Sequence, residues 1–290
     1  MSLSEPYGIA PESQPTISRR HAAGAASARG LLFTVLGEFV LGTGVAWTST
    51  LIEALGHLGV EDKTTRQALM RTAADGWLSA ERIGRRTKWH LTRDAEQLLT
   101  DGARRIYSFT GAAEGWDGRW LLVSARVPDS DRRARHLLRS RLAWAGFGSL
   151  APGLWISPHP DREAEATKVL QDSGTAQDGH VFIATRPGVG DVVAMVGQAW
   201  DLDAIENEYE EFVKEFDREF DANASGNPLT RQIELVHAWR RFPAIDPALP
   251  RELLPARWSG DNAATVFARK HAQWAAAARA EWLRLDAAAD

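Results

Sequence analysis

The chain has 290 residues, 44% hydrophobic and 25% charged, with a formal net charge of −4; that length exceeds one small core and predicts two or three domains. It contains no cysteine, which excludes disulfides, thiol catalysis and zinc ribbons and fits a reducing compartment. No apolar run approaches the ~20 residues that span a bilayer, and no apolar signal segment opens the chain, so a cytoplasmic location without a membrane partner is expected.

Residues 1–27 are rich in Ser, Pro, Ala and Gly and read as a disordered tail. Patterning begins at residue 28. "ARGLLFTVLGEFVLG" places Leu32, Val35, Leu36 and Phe39 at i, i+3, i+4 and i+7, one face of a helix. "WTSTLIEALGHLGV" predicts a second helix, with capping-box spacing at Thr50 and Glu53 and a glycine stop at Gly59. "EDKTTRQALMRTAADGWL" predicts a third, with capping-box spacing at Thr64 and Gln67. Its inward stripe is Thr65, Ala68, Leu69 and Thr72. At about 100° per residue the opposite face presents Lys63, Gln67 and Met70, flanked by Thr64, Arg66 and Arg71, with no acid before Asp75.

"WLSAERIG" and "TKWHLT" then read as two short strands of a hairpin. Around its turn stand Arg82, Arg85, Arg86 and Lys88 with no acid among them, expected to face outward. Trp77 and Trp89 bracket the cluster and are expected to anchor the hairpin on the helices. Three helices followed by a hairpin is the winged helix-turn-helix pattern, whose third helix enters the DNA major groove while the wing lies over flanking backbone. The expected partner is therefore a double-stranded DNA operator. Its contacts would come from Lys63, Thr64, Arg66, Gln67 and Arg71 on the helix, and from Arg82, Arg85, Arg86 and Lys88 on the wing. Charge placement agrees: residues 29–110 carry 11 Lys/Arg against 9 Asp/Glu, whereas 188–290 carry 11 against 18, so a polyanion belongs at the N-terminal part.

Residues 119–187 alternate strand and helix in the ferredoxin-like order βαββαβ. The first of these helices holds Arg132, Arg133, Arg135, Arg139 and Arg141. Pairing with the acidic stretch 201–221 is the first expectation for them, with DNA or a ligand's phosphates as alternatives. Beyond residue 188 the patterning is helical: Leu202, Ile205, Tyr209, Phe212 and Phe216 form one stripe, and a proline-rich loop at 243–255 precedes a last long helix. Trp200, Trp239, Trp258, Arg240 and Arg241 gather around that loop. They read either as core tryptophans and capping arginines, or as a site for an anionic effector with an aromatic group. HExxH, P-loop, GxSxG and GxGxxG motifs are absent, and the histidines lack ligand spacing, so neither enzyme activity, cofactor nor metal is expected. The fold class is α+β: a winged helix-turn-helix domain over 28–110, a ferredoxin-like domain over 111–187, and an all-helical domain over 188–290 for effector binding and dimerisation. On this division a fragment ending near Thr110 would still contact DNA weakly.

The runs "STLIEALGHLGVEDKTTRQALMR", "DGWLSAERIGRRTKWHLT", "RRIYSF", "GFGSLAPGLWISP" and "AWRRFPAIDPALPRELLPARWSG" resemble the PaaX family, repressors named for control of phenylacetic acid degradation. The resemblance extends from about residue 29 to 270. Thr65 and Thr72 depart from it, standing where the family has aliphatic residues, as does Trp89 where tyrosine is common. The likeness implies a homodimeric, sequence-specific repressor released by a small effector, an aryl-acetyl-CoA thioester. It also implies a central domain similar to the small CRISPR-associated nucleases, which hold a divalent metal on an aspartate after the first strand. Asp129 and Asp131 follow Val127-Pro128 here, so a metal-dependent nuclease is the second reading; "PDSDRR" is equally a helix cap with first-turn acids.

Overall fold

The structure, a computed structural model, describes residues 27–110, 115–128, 130–185, 190–217 and 226–289; residues 1–26 of the expected tail lie outside them. Helix α1 (Ala28–Val35) starts at Ser27, whose hydroxyl accepts from the Gly30 amide at 3.1 Å. It continues as a π-helical turn, Leu36–Val40. Leu32, Val35, Leu36 and Phe39 are buried, as their spacing predicts.

Strand β1 (Val45–Trp47) leads without a break into α2 (Thr48–Gly56), and α3 (Asp62–Ala74) follows. The expected capping boxes do not form. Thr50 lies inside α2, fully buried, and donates to Asp286 Oδ1 at 3.0 Å; α3 begins ahead of Thr64, with Glu61 at its N-cap. The reason at α2 is the sheet: β1 pairs with a later strand and delivers the chain straight into the helix, so pairing rather than a side-chain cap sets its start. The stop is as expected. Gly59 takes φ +79°, and the Val60 amide donates to the Leu55 carbonyl at 3.1 Å, the bonding of a glycine-terminated helix.

Strands β2 (Leu78–Ile83) and β3 (Arg86–Leu91) pair with Ile83 opposite Arg86, leaving Gly84-Arg85 as a two-residue turn. Gly84 has φ +62°, the left-handed first position that tight hairpins reserve for glycine. The sheet order is β1-β3-β2. Helix α4 (Arg93–Tyr107) follows at once, capped by Thr92 Oγ1, which accepts from the Ala95 amide at 3.3 Å. Neither β1 nor α4 was expected from the sequence.

The centre comprises β4 (Arg119–Ala125), α5 (Arg132–Trp144), β5 (Gly148–Ala151), β6 (Leu154–Ser157), α6 (Glu163–Asp172) and β7 (Gly179–Thr185). Its sheet is antiparallel with order β5-β6-β4-β7, the expected ferredoxin-like arrangement. Alternation along β4 separates two cores. Leu121 and Val123 face α5 and α6 with Leu138, Leu142 and Leu170; Trp120 faces Ile156, Val196, Trp200 and Leu249. Gly148 permits the second packing, since a Cβ there would stand 2.6 Å from the Trp200 ring.

The remaining helices are α7 (Val192–Ala199), absent from the sequence expectations, α8 (Leu202–Phe216), α9 (Pro228–Trp239), α10 (Phe242–Ile245) and α11 (Gly260–Ala289). The α8 stripe Ile205, Tyr209, Phe212 and Phe216 packs with Trp239, Phe242, Trp258 and Phe267 into an aromatic core. Helix α11 is 30 residues long, and its second half returns to the start of the chain. Ala278, Trp282 and Leu285, with Leu229 and Ile233 of α9, share one buried cluster with Leu32, Leu51, Leu55 and Leu69. Trp282 stacks on Phe39 with centroids 5.4 Å apart, and Arg279 donates to the Phe39 carbonyl at 2.7 Å. The first and last helices therefore make a common core. Among the described residues no helix is long and apolar enough to cross a membrane.

Candidate nucleic-acid interface

Burial of Thr65, Ala68, Leu69 and Thr72 fixes the rotation of α3, as the sequence stripe predicts. Lys63, Thr64, Arg66, Gln67, Met70 and Arg71 are left exposed, Met70 by 63%. Together with Asp62 most of them line an open depression along the helix. Asp62 corrects the expectation of an acid-free face. It is the first helical residue, four positions before Arg66, and accepts from Arg66 Nε at 2.6 Å. Both side chains are more than half exposed, so water and salt screen the pair and it contributes little; Arg66 can exchange the carboxylate for another acceptor at small cost.

The hairpin divides its four cations. Arg82 and Arg85 are exposed, with Arg82 Nε donating to the Gly84 carbonyl at 3.3 Å. Arg86 is exposed as expected and Lys88 half-buried, and both also make contacts within the chain. Residues 86 and 88 share one face of β3, and Lys88 pairs opposite Trp47 of β1. The Lys88 ammonium accordingly lies 4.9 Å from the Trp47 ring centroid and the Arg86 guanidinium 5.2 Å from it. Arg86 also donates to the Ala289 carbonyl at 2.7 Å. These contacts depend on β1, a three-residue strand too short to leave a pattern. On the other face of β3 Trp89 is buried, and its indole N–H donates to Thr48 Oγ1 at 2.9 Å. Trp77 packs half-buried against the same core. The two tryptophans anchor the hairpin as expected.

The five residues proposed for an effector are not brought around one opening. Trp239 is fully buried, stacked on Phe267 at 4.7 Å, and shares its core with Trp258. Trp200 belongs to the separate cluster on the central sheet. Arg241 is paired with Glu208. Arg240 Nη1 donates to the Gly30 carbonyl at 2.8 Å and to Thr34 Oγ1 at 3.0 Å, joining the end of α9 to α1. Core tryptophans and structural arginines, the plainer of the two sequence readings, describe this arrangement. Arg141 of the central helix also differs from the first expectation. Arg141 pairs with Asp172 of the neighbouring α6 at 2.6 Å, while on the acidic α8 Glu208 takes Arg241 and Glu206 accepts from Ser259. Asp131 serves as the N-cap of α5, accepting from the Ala134 amide at 2.8 Å; Asp129 lies outside the described residues.

Beside Arg240, His237 Nδ1 shares a 2.9 Å hydrogen bond with Thr34 Oγ1. Burial, then the charges of Arg240 and Arg241, hold its pKa down to about 4. The folded pKa lies below the unfolded one, so neutral His237 contributes stability above about pH 6.5 that is lost as pH falls toward 4. Asp246 acts oppositely. Burial, against hydrogen bonds from Tyr209 and the Ala248 amide, raises it to about 6, so its penalty is relieved on acidification. Denaturant midpoints at several pH values separate the two. Between about pH 7.5 and 5, wild type is expected to lose roughly 2 kcal/mol relative to His237→Asn. Parallel pH curves for the two proteins would mean that this imidazole stays solvated.

Fold and surface together define a class: an α+β protein with a ferredoxin-like centre and an N-terminal unit of helices and a hairpin whose exposed residues are largely basic. Comparison with known proteins makes the class particular. Residues 27–95 match a family model described as PaaX-like protein, 113–196 the PaaX protein central Cas2-like domain, and 200–284 the PaaX-like protein C-terminal domain. The chain is 33% identical over 230 residues to the transcriptional repressor PaaX of Escherichia coli (strain K12), covering 76% of this chain and 71% of that protein. It belongs to the PaaX family. The solved structure of the uncharacterized protein Rv0674 from Mycobacterium tuberculosis superposes with a TM-score of 0.61 at 22% identity, covering 89% of this chain and 99% of that one; that likeness concerns the fold.

Proposed function

We propose that this chain is a sequence-specific DNA-binding transcriptional repressor, without catalytic activity, whose residues 28–110 act as a winged helix-turn-helix. The observation that carries this reading is the outward face of α3, with Lys63, Thr64, Arg66, Gln67 and Arg71 all exposed beside a hairpin tipped by Arg82 and Arg85. Kinship with a protein named as a transcriptional repressor supports it. Helix α3 lies in the major groove, where Arg66 and Gln67 have the donors and acceptors to read guanine and adenine edges. Arg82 and Arg85 meet phosphates beside it. Arg86 and Lys88, packed over Trp47, hold the wing in shape. Two copies present two α3 helices to half-sites one helical turn, ~34 Å, apart. Residues 188–290 serve dimerisation and the response to a small effector, which the likeness to PaaX supports as an aryl-acetyl-CoA thioester.

The test is binding to DNA from upstream of the chain's own gene, followed by fluorescence anisotropy with and without the thioester. Arg66→Ala and Gln67→Ala should each weaken operator binding by about 1–3 kcal/mol while changing non-specific binding less. Operator affinity within twofold of wild type in both would remove α3 from the groove. Arg82→Ala with Arg85→Ala should weaken binding to all sequences alike and lower the salt slope by about 0.9 for each phosphate no longer neutralised. The double change at Arg86 and Lys88 should lower thermal stability instead and leave most of that slope; the reverse pattern would put the phosphate contacts on β3.

A further inference from the structure

The exposed side of α5 carries arginines at 132, 133 and 139 that no acid among the described residues engages. At about 100° per residue Arg132, His136 and Arg139 fall within about 60° of one another, with Arg133 beside them. All four are exposed, whereas Leu138 and Leu142 of the same helix are buried. Among the described residues no ion pair joins Arg132, Arg133 or Arg139 to an acid. The acid across the helix pair, Asp172, is already held by Arg141 at 2.6 Å and Lys168 at 3.2 Å, and Asp131 is occupied as the N-cap.

This arrangement works against the helix that carries it. Arg132 and Arg133 stand in the first turn with no acid there, and cations in that position oppose the helix dipole. A local pattern that disfavours its own element points to a use outside it. The acids that might have absorbed the charge lie elsewhere: Glu208 and Glu206 on α8 are engaged by Arg241 and Ser259. Placement adds the partner. The Arg105 guanidinium of α4 lies 4.7 Å from the ring centroid of Trp144 at the end of α5, and α4 starts two residues after β3 ends. Helix α5 is thereby joined to the helix-and-hairpin unit through one helix. From Arg132 to Arg139 the axis advances about 10.5 Å, about the rise of three base pairs along a duplex axis.

We infer that α5 is a second DNA-binding surface, which grips the backbone flanking the operator without reading its sequence. The inference rests on the repressor reading above and extends the footprint beyond α3 and the wing. Lying outside the recognition helix, these guanidinium groups are assigned to phosphates rather than base edges, and the signature of that assignment is salt dependence.

Full-length wild type and an Arg132→Ala/Arg133→Ala/Arg139→Ala variant are titrated on two duplexes, one of roughly 12 base pairs covering a half-site turn and one of about 40 carrying flanks. The positions are exposed and alanine favours helix, so the variant should melt as wild type does. On the long duplex its salt slope should fall by up to about 2.7, at 0.9 per phosphate, with about a tenfold or greater loss of affinity; on the short one both should stay within about twofold. A triple Arg→Lys variant should keep the slope. Unchanged slope and affinity on the long duplex overturn the inference, while loss of operator preference in Gln67→Ala would in that case leave the repressor reading standing. If wild type binds neither duplex, that reading fails and this inference with it.

Discussion

A fragment ending at Thr110 is expected to have no stable tertiary fold, although it contains every proposed groove and wing contact. Its helices are closed by α9 and α11, which supply Leu229, Ile233, Ala278, Trp282 and Leu285 to the first core. Burial of each large apolar side chain contributes about 1.5–3 kcal/mol, so removing four of them and an alanine withdraws on the order of 6–12 kcal/mol. That is comparable with the whole stability of an ordinary domain, about 5–15 kcal/mol. Polar closure goes as well. Thr50 loses Asp286, the Phe39 carbonyl loses Arg279, and Thr34 loses His237 and Arg240. The fragment should melt without a cooperative transition, bind hydrophobic dyes and show no operator preference. A cooperative melt near that of the full chain would show that α1 to α4 are self-sufficient. The expectation from sequence, that such a fragment retains weak DNA contact, follows from dividing the chain where composition changes; a core shared between residues separated by some two hundred positions leaves no local mark.

Local periodicity made the rest legible. The stripe Thr65, Ala68, Leu69, Thr72 set the rotation of α3, the apolar run within 119–125 marked the first central strand, and Gly59 marked the end of α2. What was hidden is what partners decide. Strand β1 is three residues long and exists because β3 lies beside it, so the packing of Arg86 and Lys88 over Trp47 could not be foreseen. Thr50 had the spacing of a cap, but the competing principle was tertiary: Asp286, 236 residues away, takes its hydroxyl. Arg240 and Arg241 have the chemistry of an anion site, and sequence alone cannot tell that Gly30 and Thr34 engage the one and Glu208 the other.

Glu38 is where that shared core depends most on a single charge, and Glu38→Ala is expected to cost about 3–5 kcal/mol. The residue sits on the π-helical turn after α1 with its side chain 10% exposed. Its carboxylate accepts from Gln232 Nε2 of α9 at 2.8 Å, from His271 Nε2 of α11 at 2.9 Å, and from the Tyr107 hydroxyl at the end of α4. Burial pushes the carboxyl pKa up, but the hydrogen bonds from His271, Tyr107 and Gln232 together with the His271 charge outweigh it, and the net shift is downward. Alanine would leave three donors from three helices facing a void, which is why the loss should exceed that of a surface ion pair. Glu38→Gln keeps the shape and part of the hydrogen bonding, so its loss should be smaller. The pH dependence follows from the sign. With a folded pKa below the unfolded value of about 4.3, the carboxylate contributes stability above that value and loses it as pH falls through the folded pKa. Wild type and Glu38→Gln should therefore differ most near neutral pH and converge in acid. Because α4 leads on from the hairpin, Glu38→Ala should also free the helix-and-hairpin unit from the C-terminal helices, so that hydrogen exchange rises together in α1, α4 and α11. Exchange that rises in α1 alone, or a stability loss under about 1 kcal/mol, would reduce Glu38 to a local contact.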